Sequence, residues 1–439
     1  MSLISRDLKH LWHPCSQMKD YESFPPLEVI QAQGCYLTLN NGQKIIDVIS
    51  SWWCKSFGHN HPILKKAIHN QLEKFEHVIL ANTTNHTIVE LSEALATLQP
   101  GLDKVMYASD GSCAVEIAMK MSLHSRVIQP QPEKKHFAAL SHGYHGETLA
   151  TLSVSDLGLY KAPYQSACLN NVTFIDHIPY VSGTDDPLWH DCSLHWQKAQ
   201  LQLEAVKHQL TAILIEPIVQ GAGGMLIYSA DFLKRLNAWC KANDIHLIAD
   251  EIMTGLGRTG RPLACQHANI SPDFICLSKG LTGGVLPMSA VLTHNEIYQL
   301  FYDDYETGKA FMHSHTHSGN ALAAAVALAT QKLLNSPGFY ESTQEKGQYM
   351  RELLEDTAQQ TGKLKNIRSI GMVAAADLIV PDNDKTRWGY LIYQEAIKNG
   401  ALLRPLGNTL YWLPPLITTK EELKKIASIT TQAIEAILS

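Results

Sequence analysis

The sequence predicts an α/β protein, with a mostly parallel sheet in a large domain and a smaller α+β domain drawn from both termini. Three observations lead there. Across residues 105–292 the chain repeats a short apolar run, a polar or Gly-rich turn and an amphipathic segment, the alternation that builds a parallel sheet with helices on its faces. At 439 residues, 45% hydrophobic and 18% charged, the chain exceeds what one small domain requires. After residue 334 its character changes to charged helical segments around a strand-like run. The expected division is 1–55 in the small domain, 56–330 in the large domain and 331–439 completing the small one.

Taken in order, Cys35-Tyr-Leu-Thr-Leu and the turn Asn40-Asn41-Gly42 predict a hairpin. Strands are expected at Val105-Met-Tyr, Phe137-Ala-Ala-Leu, Ala212-Ile-Leu-Ile, His246-Leu-Ile-Ala and Phe274-Ile-Cys-Leu, each ending beside a polar or charged residue. Ligands in such sheets bind beyond the carboxyl ends of the strands. Residues 179–195, rich in Asp, Gly and Pro, read as a surface loop. Ser229 reads as a helix cap, followed by Phe232, Leu233, Leu236, Trp239 and Cys240 on one helical face. The Ala-rich run 321–334 reads as a buried helix, 340–361 as a charged helix, 372–378 as a strand, and Lys420 onward as a final helix.

Composition narrows the function. A formal net charge of -6 gives no basic excess of the kind that nucleic acid or an anionic membrane attracts, so small-molecule chemistry is expected. Nine cysteines form no C-x-x-C pair, and their odd number favours a reducing cytoplasm. The first twelve residues lack a signal-peptide core, and no apolar run reaches the ~20 residues of a membrane span.

Glu216, Asp250 and Lys279 end three consecutive strands, so two acids and an amine converge on one mouth of the sheet. Lys279 lies in Cys276-Leu-Ser-Lys279-Gly-Leu-Thr-Gly-Gly284, where small residues allow close approach to the amine. A desolvated lysine has a lowered pKa and becomes a nucleophile toward an aldehyde. Asp250 opens Asp250-Glu-Ile-Met-Thr-Gly-Leu-Gly-Arg-Thr-Gly260, and its carboxylate can keep a pyridine nitrogen protonated. Gly111 and Ser112 follow a strand and open a helix, where free N–H groups attract an anion; standing alone, that motif is also a plain helix cap. Tyr144, in His142-Gly-Tyr-His-Gly146, can face a planar ligand or serve as a buried structural tyrosine. His313-Ser-His-Thr-His317 places alternating histidines on one face of a strand and invites a zinc reading. No Cys or carboxylate stands at ligand spacing, however, and Thr316 suits anion binding better, so no metal is expected. Arg404, between apolar residues, suits a carboxylate or an ion pair within the small domain. Trp52-Trp53 reads as core or as an aromatic wall for an aliphatic ligand.

Together these stretches resemble the class III aminotransferases of the fold type I pyridoxal-phosphate enzymes, over nearly the whole chain. The segments 250–260 and 279–284 carry the resemblance most specifically. Leu11-Trp-His-Pro, Ser50-Ser-Trp-Trp, His142-Gly-Tyr-His-Gly-Glu-Thr, Glu216-Pro-Ile-Val-Gln-Gly-Ala-Gly-Gly and Leu403-Arg-Pro-Leu-Gly-Asn resemble the branch that aminates 8-amino-7-oxononanoate in biotin biosynthesis. The resemblance implies a seven-stranded type of sheet and pyridoxal 5'-phosphate bound to Lys279 as a Schiff base, with Asp250 on the pyridine nitrogen and Gly111 and Ser112 on the phosphate. It implies a homodimer in which Thr316, with His315 beside it, reaches the phosphate across the interface. Tyr144 would pack on the cofactor and, with Trp52, Ser314 and Lys279, shape the substrate site, while Arg404 takes the substrate carboxylate. Cys15 stands where the family commonly has tyrosine, and Ser314-His315 where it has Gly-Pro. The implied donor is S-adenosylmethionine; Phe301-Tyr-Asp-Asp-Tyr-Glu306 also resembles a lysine-using branch. Another class III ω-amino acid aminotransferase is the alternative.

Overall fold

The computed structural model describes residues 2–382 and 384–439. Its large sheet has seven strands: β1 (Lys104–Ala108), β2 (His136–Leu140), β3 (Val172–Ile175), β4 (Leu210–Ile215), β5 (His246–Asp250), β6 (Phe274–Leu277) and β7 (Ser289–Thr293), in the spatial order β1-β7-β6-β5-β4-β2-β3. Only β7 runs against its neighbours; β3, β2, β4, β5 and β6 are mutually parallel. The five strands expected from the sequence are all present, and β3 and β7 are added to them.

Period-2 alternation explains why these strands read as unbroken apolar runs. Ile213, Ile215, Leu247, Ala249, Ile275 and Leu277 face one hydrophobic cluster, whereas Ala212, Leu214, Ile248, Phe274 and Cys276 face another. Both faces are buried, as in sheets covered by crossover helices. The second cluster is closed by helix α1 (Gly111–Ile128), whose Ala114, Val115, Ala118 and Met119 are buried against the sheet. Each fully buried aliphatic side chain contributes about 1.5–3 kcal/mol. Ser229 caps its helix as expected, its side chain accepting from the Phe232 N–H. The apolar helix α2 (Ala321–Leu334) packs on helices Pro62–Leu72 and His86–Ala96 and on the turn Lys279–Thr282.

Residues from both ends of the chain meet in a second sheet. Val29–Gln33, Tyr36–Leu39 and Lys44–Asp47 form an antiparallel meander, and Ala401–Leu402 joins it in parallel, Ala401 opposite Ile46. A three-stranded sheet of Leu364–Ile370, Val373–Leu378 and Thr409–Trp412 follows, with helix Lys420–Leu438 started by a capping box between Thr419 and Glu422.

Two local expectations are corrected. Residues 179–195 are not simply a surface loop: Pro187–His190 is a helical turn, and Val181, Trp189 and Cys192 are buried in the main core. Polar and turn-forming neighbours hid these few apolar anchors. The 313–317 histidines lie in irregular backbone, not on a strand. His313 Nε2 and His315 Nε2 are 3.2 Å apart and Lys120 Nζ lies 2.8 Å from His313 Nδ1. Among the described residues no group of three or more His, Cys, Asp or Glu side chains could hold a metal ion. Nor is any described helix long and apolar enough to cross a membrane.

Candidate active site

The carboxyl ends of β4, β5 and β6 open onto a cavity of about 570 Å³, lined among others by Glu216, Asp250 and Lys279. The convergence expected from three strand ends is therefore present. Lys279 sits at φ 42, in the left-handed region that an L side chain enters only under constraint. The chain is also closely packed after it: a Cβ on Gly284 would come within 2.7 Å of the Cys54 backbone carbonyl. The ammonium lies over the Trp53 ring, 4.8 Å from its centroid. Burial lowers the Lys279 pKa, and Asp250 and Glu216 oppose that shift. The result is an amine more readily deprotonated than a surface lysine.

Asp250 is held from two sides. One carboxylate oxygen accepts the Ile252 N–H at 3.2 Å, and the other lies 3.0 Å from His145 Nδ1. His145 is buried and its Nε2 has no partner among the described residues. Glu216 accepts from the Tyr144 N–H and the Gly221 N–H, each at 2.9 Å, and so shapes two loops. Burial pushes its carboxyl pKa up to about 7, with Asp250 adding to the rise and His145 opposing it. A carboxyl whose folded pKa is raised favours the fold below its unfolded pKa and loses that contribution as pH rises through the folded value. Between about pH 4.5 and 7 Glu216 therefore weakens the native state as it ionises, by a ceiling on the order of 3 kcal/mol. Glu216→Gln, which cannot ionise, is expected to be less stable than the parent at pH 5 and to close or reverse that gap by pH 8. Thermal melts at both pH values check this; a constant gap would remove the ionisation from the account.

At the opposite wall, Asp110 caps α1 by accepting from the Cys113 N–H. The N–H groups of Gly111 and Ser112 are left without an acceptor among the described residues. Gly111 and Ser112 line the cavity, and a Cβ on Gly111 would come within 2.8 Å of the Ile252 side chain. Tyr144 lines the same cavity, its hydroxyl donating to Glu147 at 2.9 Å.

A left-handed turn of four non-glycine residues carries the paired tryptophans: Ser50, Ser51, Trp52 and Trp53 have φ between 48 and 73. Such a conformation costs about 1–2 kcal/mol per residue, and tertiary contacts hold it. Ser50 Oγ donates to the Leu413 carbonyl at 2.6 Å and Trp53 Nε1 to Tyr411 Oη at 3.0 Å. The turn sends the adjacent rings to different places, Trp53 beneath Lys279 and Trp52 beneath Arg404, whose guanidinium carbon is 4.2 Å from the ring centroid. Arg404 does not line the Lys279 cavity. It lines a neighbouring one of about 900 Å³, together with Cys15, Tyr160 and Tyr393.

The remaining candidates stand apart in the single chain. Ser314 and Thr316 are exposed and line neither cavity. The Thr316 carbonyl lies 3.0 Å from His77 Nε2, and His315 Nδ1 lies 3.5 Å from Ser109 Oγ. Arg258, inside the 250–260 segment, is buried with its pKa pushed down to about 9 by desolvation, and donates to the Met372 and Pro414 carbonyls at 3.2 and 2.7 Å. Half of that motif thus ties the large sheet to the carboxyl-terminal region.

Comparison with known proteins decides the family. The model of the class III aminotransferases matches residues 17–434. The chain is a class III aminotransferase. Among curated relatives of this aminotransferase, an adenosylmethionine-8-amino-7-oxononanoate aminotransferase of Helicobacter pylori is 41% identical, covering 99% of this chain and 98% of that protein. The Synechococcus elongatus protein of the same name is 37% identical, covering 98% and 99%. The crystal structure of the Methanocaldococcus jannaschii protein of that name superposes with a TM-score of 0.91 at 29% identity, covering 99% of each chain. An amine transaminase from an uncultivated Pseudomonas species, in its pyridoxal-phosphate-bound form, gives 0.89 at 27%, covering 98% of this aminotransferase and 99% of that chain.

Class III aminotransferases use pyridoxal phosphate, and the cavity suits it. The free N–H groups at the start of α1 suit a phosphate, the Asp250 carboxylate a protonated ring nitrogen, and the Lys279 amine an aldehyde.

Proposed function

We propose that this aminotransferase converts 8-amino-7-oxononanoate to 7,8-diaminononanoate in biotin biosynthesis, with S-adenosylmethionine as the amino donor. The observation that carries this reading is full-length similarity to enzymes named for that reaction, up to 41% identity. An arginine with an aromatic floor, set one cavity away from the Lys279 amine, supports an aliphatic keto acid whose carboxylate lies far from the reacting carbon.

The residues divide the work by position. Gly111 and Ser112 hold the phosphate through backbone N–H groups. Asp250, fixed by Ile252 and His145, pairs with the ring nitrogen. Bound there, pyridoxal phosphate would supply an electron sink for the transamination. Lys279 would hold the cofactor through its aldehyde when no substrate is present. With the donor bound, the Lys279 Nζ would be the group that takes the donor's α-proton and gives a proton back. Its lowered pKa leaves the amine ready to accept. The same amine works in reverse on the keto acid, so donor and acceptor use one cavity in turn. Across the two halves the donor exchanges its amino group for oxygen and the ketone exchanges oxygen for the amino group. Tyr144 and Trp52 wall the substrate and Arg404 takes its carboxylate, while Ser314, which lines neither cavity of its own chain, would complete the site of the partner subunit. Thr316 and His315 serve the phosphate from the partner subunit of a homodimer, which fits their exclusion from this chain's own cavity.

Incubating the cofactor-loaded protein with 8-amino-7-oxononanoate and either 15N-labelled S-adenosylmethionine or 15N-labelled lysine tests the reading. Labelled diaminononanoate from the first donor alone is expected. Label from lysine alone would replace the donor, and label from neither would end the assignment to this substrate.

A further inference from the structure

The roles above use Arg404 but leave Cys15 and Tyr160, which line the second cavity with it, without a part. Arg404 is the charged member of the three. One of its five N–H groups is engaged, donating to the Cys15 carbonyl at 3.3 Å, and among the described residues no carboxylate lies within ion-pair distance. Arg387, on the same cavity wall, is by contrast paired with Asp20 at 2.7 Å. A guanidinium stacked on Trp52 with donors to spare is suited to a ligand carboxylate.

Tyr160 comes from the short helical turn Gly158–Lys161. Its ring meets the Tyr144 ring edge-on, centroids 6.4 Å apart, so it stands where the cofactor cavity passes into the second one. Its hydroxyl lies 2.7 Å from Cys15 Sγ. The phenol and the guanidinium are thus held by two atoms of a single residue, the thiol and the carbonyl of Cys15. Sulfur is a weak hydrogen-bond partner, so exchanging it for a carboxylate oxygen is favourable. Burial, the Cys15 contact and the nearby Glu147 charge all raise the phenol's pKa, which keeps it protonated and able to donate.

We infer that Tyr160 is a specificity-determining residue that, with Arg404, forms a two-point clamp on the distal carboxylate of an aliphatic keto acid. The phenol O–H and a guanidinium N–H each donate to the carboxylate, the phenol exchanging its weak contact with the Cys15 thiol for it. The clamp deepens the proposed function and rests on it for the identity of the acid, though not for the recognition of a carboxylate.

Nonanoate is the probe that separates the two. Titrated calorimetrically into the cofactor-loaded protein, it is expected to bind about tenfold more weakly to Tyr160→Phe, and more weakly still to Arg404→Met. Nonanamide, which lacks the charge, is expected to bind parent and Tyr160→Phe alike. With 8-amino-7-oxononanoate, Tyr160→Phe should raise KM about tenfold and leave kcat within twofold. Cys15→Ala removes the thiol and keeps the phenol, so its nonanoate affinity should be undiminished. The clamp is overturned if the parent binds no nonanoate, if Tyr160→Phe binds it within twofold of the parent, if nonanamide weakens equally, or if Cys15→Ala loses the affinity. A parent that binds nonanoate through Tyr160 yet does not aminate 8-amino-7-oxononanoate would remove the substrate assignment and keep the clamp.

Discussion

Lys279→Ala is expected to reduce transamination by at least about four orders of magnitude, a loss of about 5 kcal/mol of transition-state stabilisation, with the fold intact. The size follows from the two jobs given to one atom. On the proposed mechanism Nζ binds the aldehyde between turnovers, and among the described residues it is the only amine lining the cavity beside the strand ends, so its removal takes away attachment and proton transfer together. The fold is expected to survive because the ammonium sits in an environment that disfavours its charge, as its lowered pKa records. Alanine meets the same strain at φ 42 that lysine already bears, so the backbone cost is unchanged. Two measurements separate chemistry from folding. Thermal melting should move by only a few degrees, and millimolar methylamine, small enough for the space vacated over the Trp53 ring, should restore part of the rate. A variant retaining more than a hundredth of parental activity without added amine would place the proton transfer on another group.

How far the site could be read from sequence depended on whether backbone pattern or tertiary contact placed each residue. Lys279, Asp250 and Glu216 were legible because a strand end fixes a residue's position to within a turn, and three apolar runs ended on them. Gly111 and Ser112 were legible because the helix they open has its own periodicity. By contrast, β7 follows Gly283-Gly-Val-Leu-Pro with no amphipathic crossover before it, so nothing announced an antiparallel strand inside a parallel sheet. The left-handed turn at 50–53 was invisible, since Ser and Trp carry no preference for positive φ and the turn is held by Leu413 and Tyr411, some 360 residues away along the chain. His145 was part of a recognised motif, but its seat on Asp250 depends on contact between residues 105 positions apart. The alternating histidines at 313–317 show the opposite failure, a period-2 pattern in backbone that forms no strand. Tyr160 carried no sequence signal at all, because its interest comes only from Cys15 and Arg404.

Asp250→Asn is the second substitution with a large expected effect, a fall in kcat of about three orders of magnitude, or about 4 kcal/mol, with little loss of fold. Asparagine keeps the shape, and its amide oxygen can still accept the Ile252 N–H. On the proposed mechanism it loses the negative charge that would stand opposite the ring nitrogen, and with it the means of keeping that nitrogen protonated in a buried site. The His145 ring bears on how that charge is held. Its Nδ1 faces Asp250 while Nε2 has no partner among the described residues, so a proton on Nδ1 is the one that can be donated to the carboxylate. His145→Phe should therefore lower kcat far less than Asp250→Asn, because the charge remains and only its orientation loosens. A cofactor analogue methylated on the ring nitrogen carries a permanent positive charge and needs no acid to hold a proton. Loaded with it, Asp250→Asn should recover much of its lost rate while Lys279→Ala recovers none. Equal recovery in both variants would detach the charge from Asp250, whereas no recovery in either would leave Asp250 with a positioning role alone.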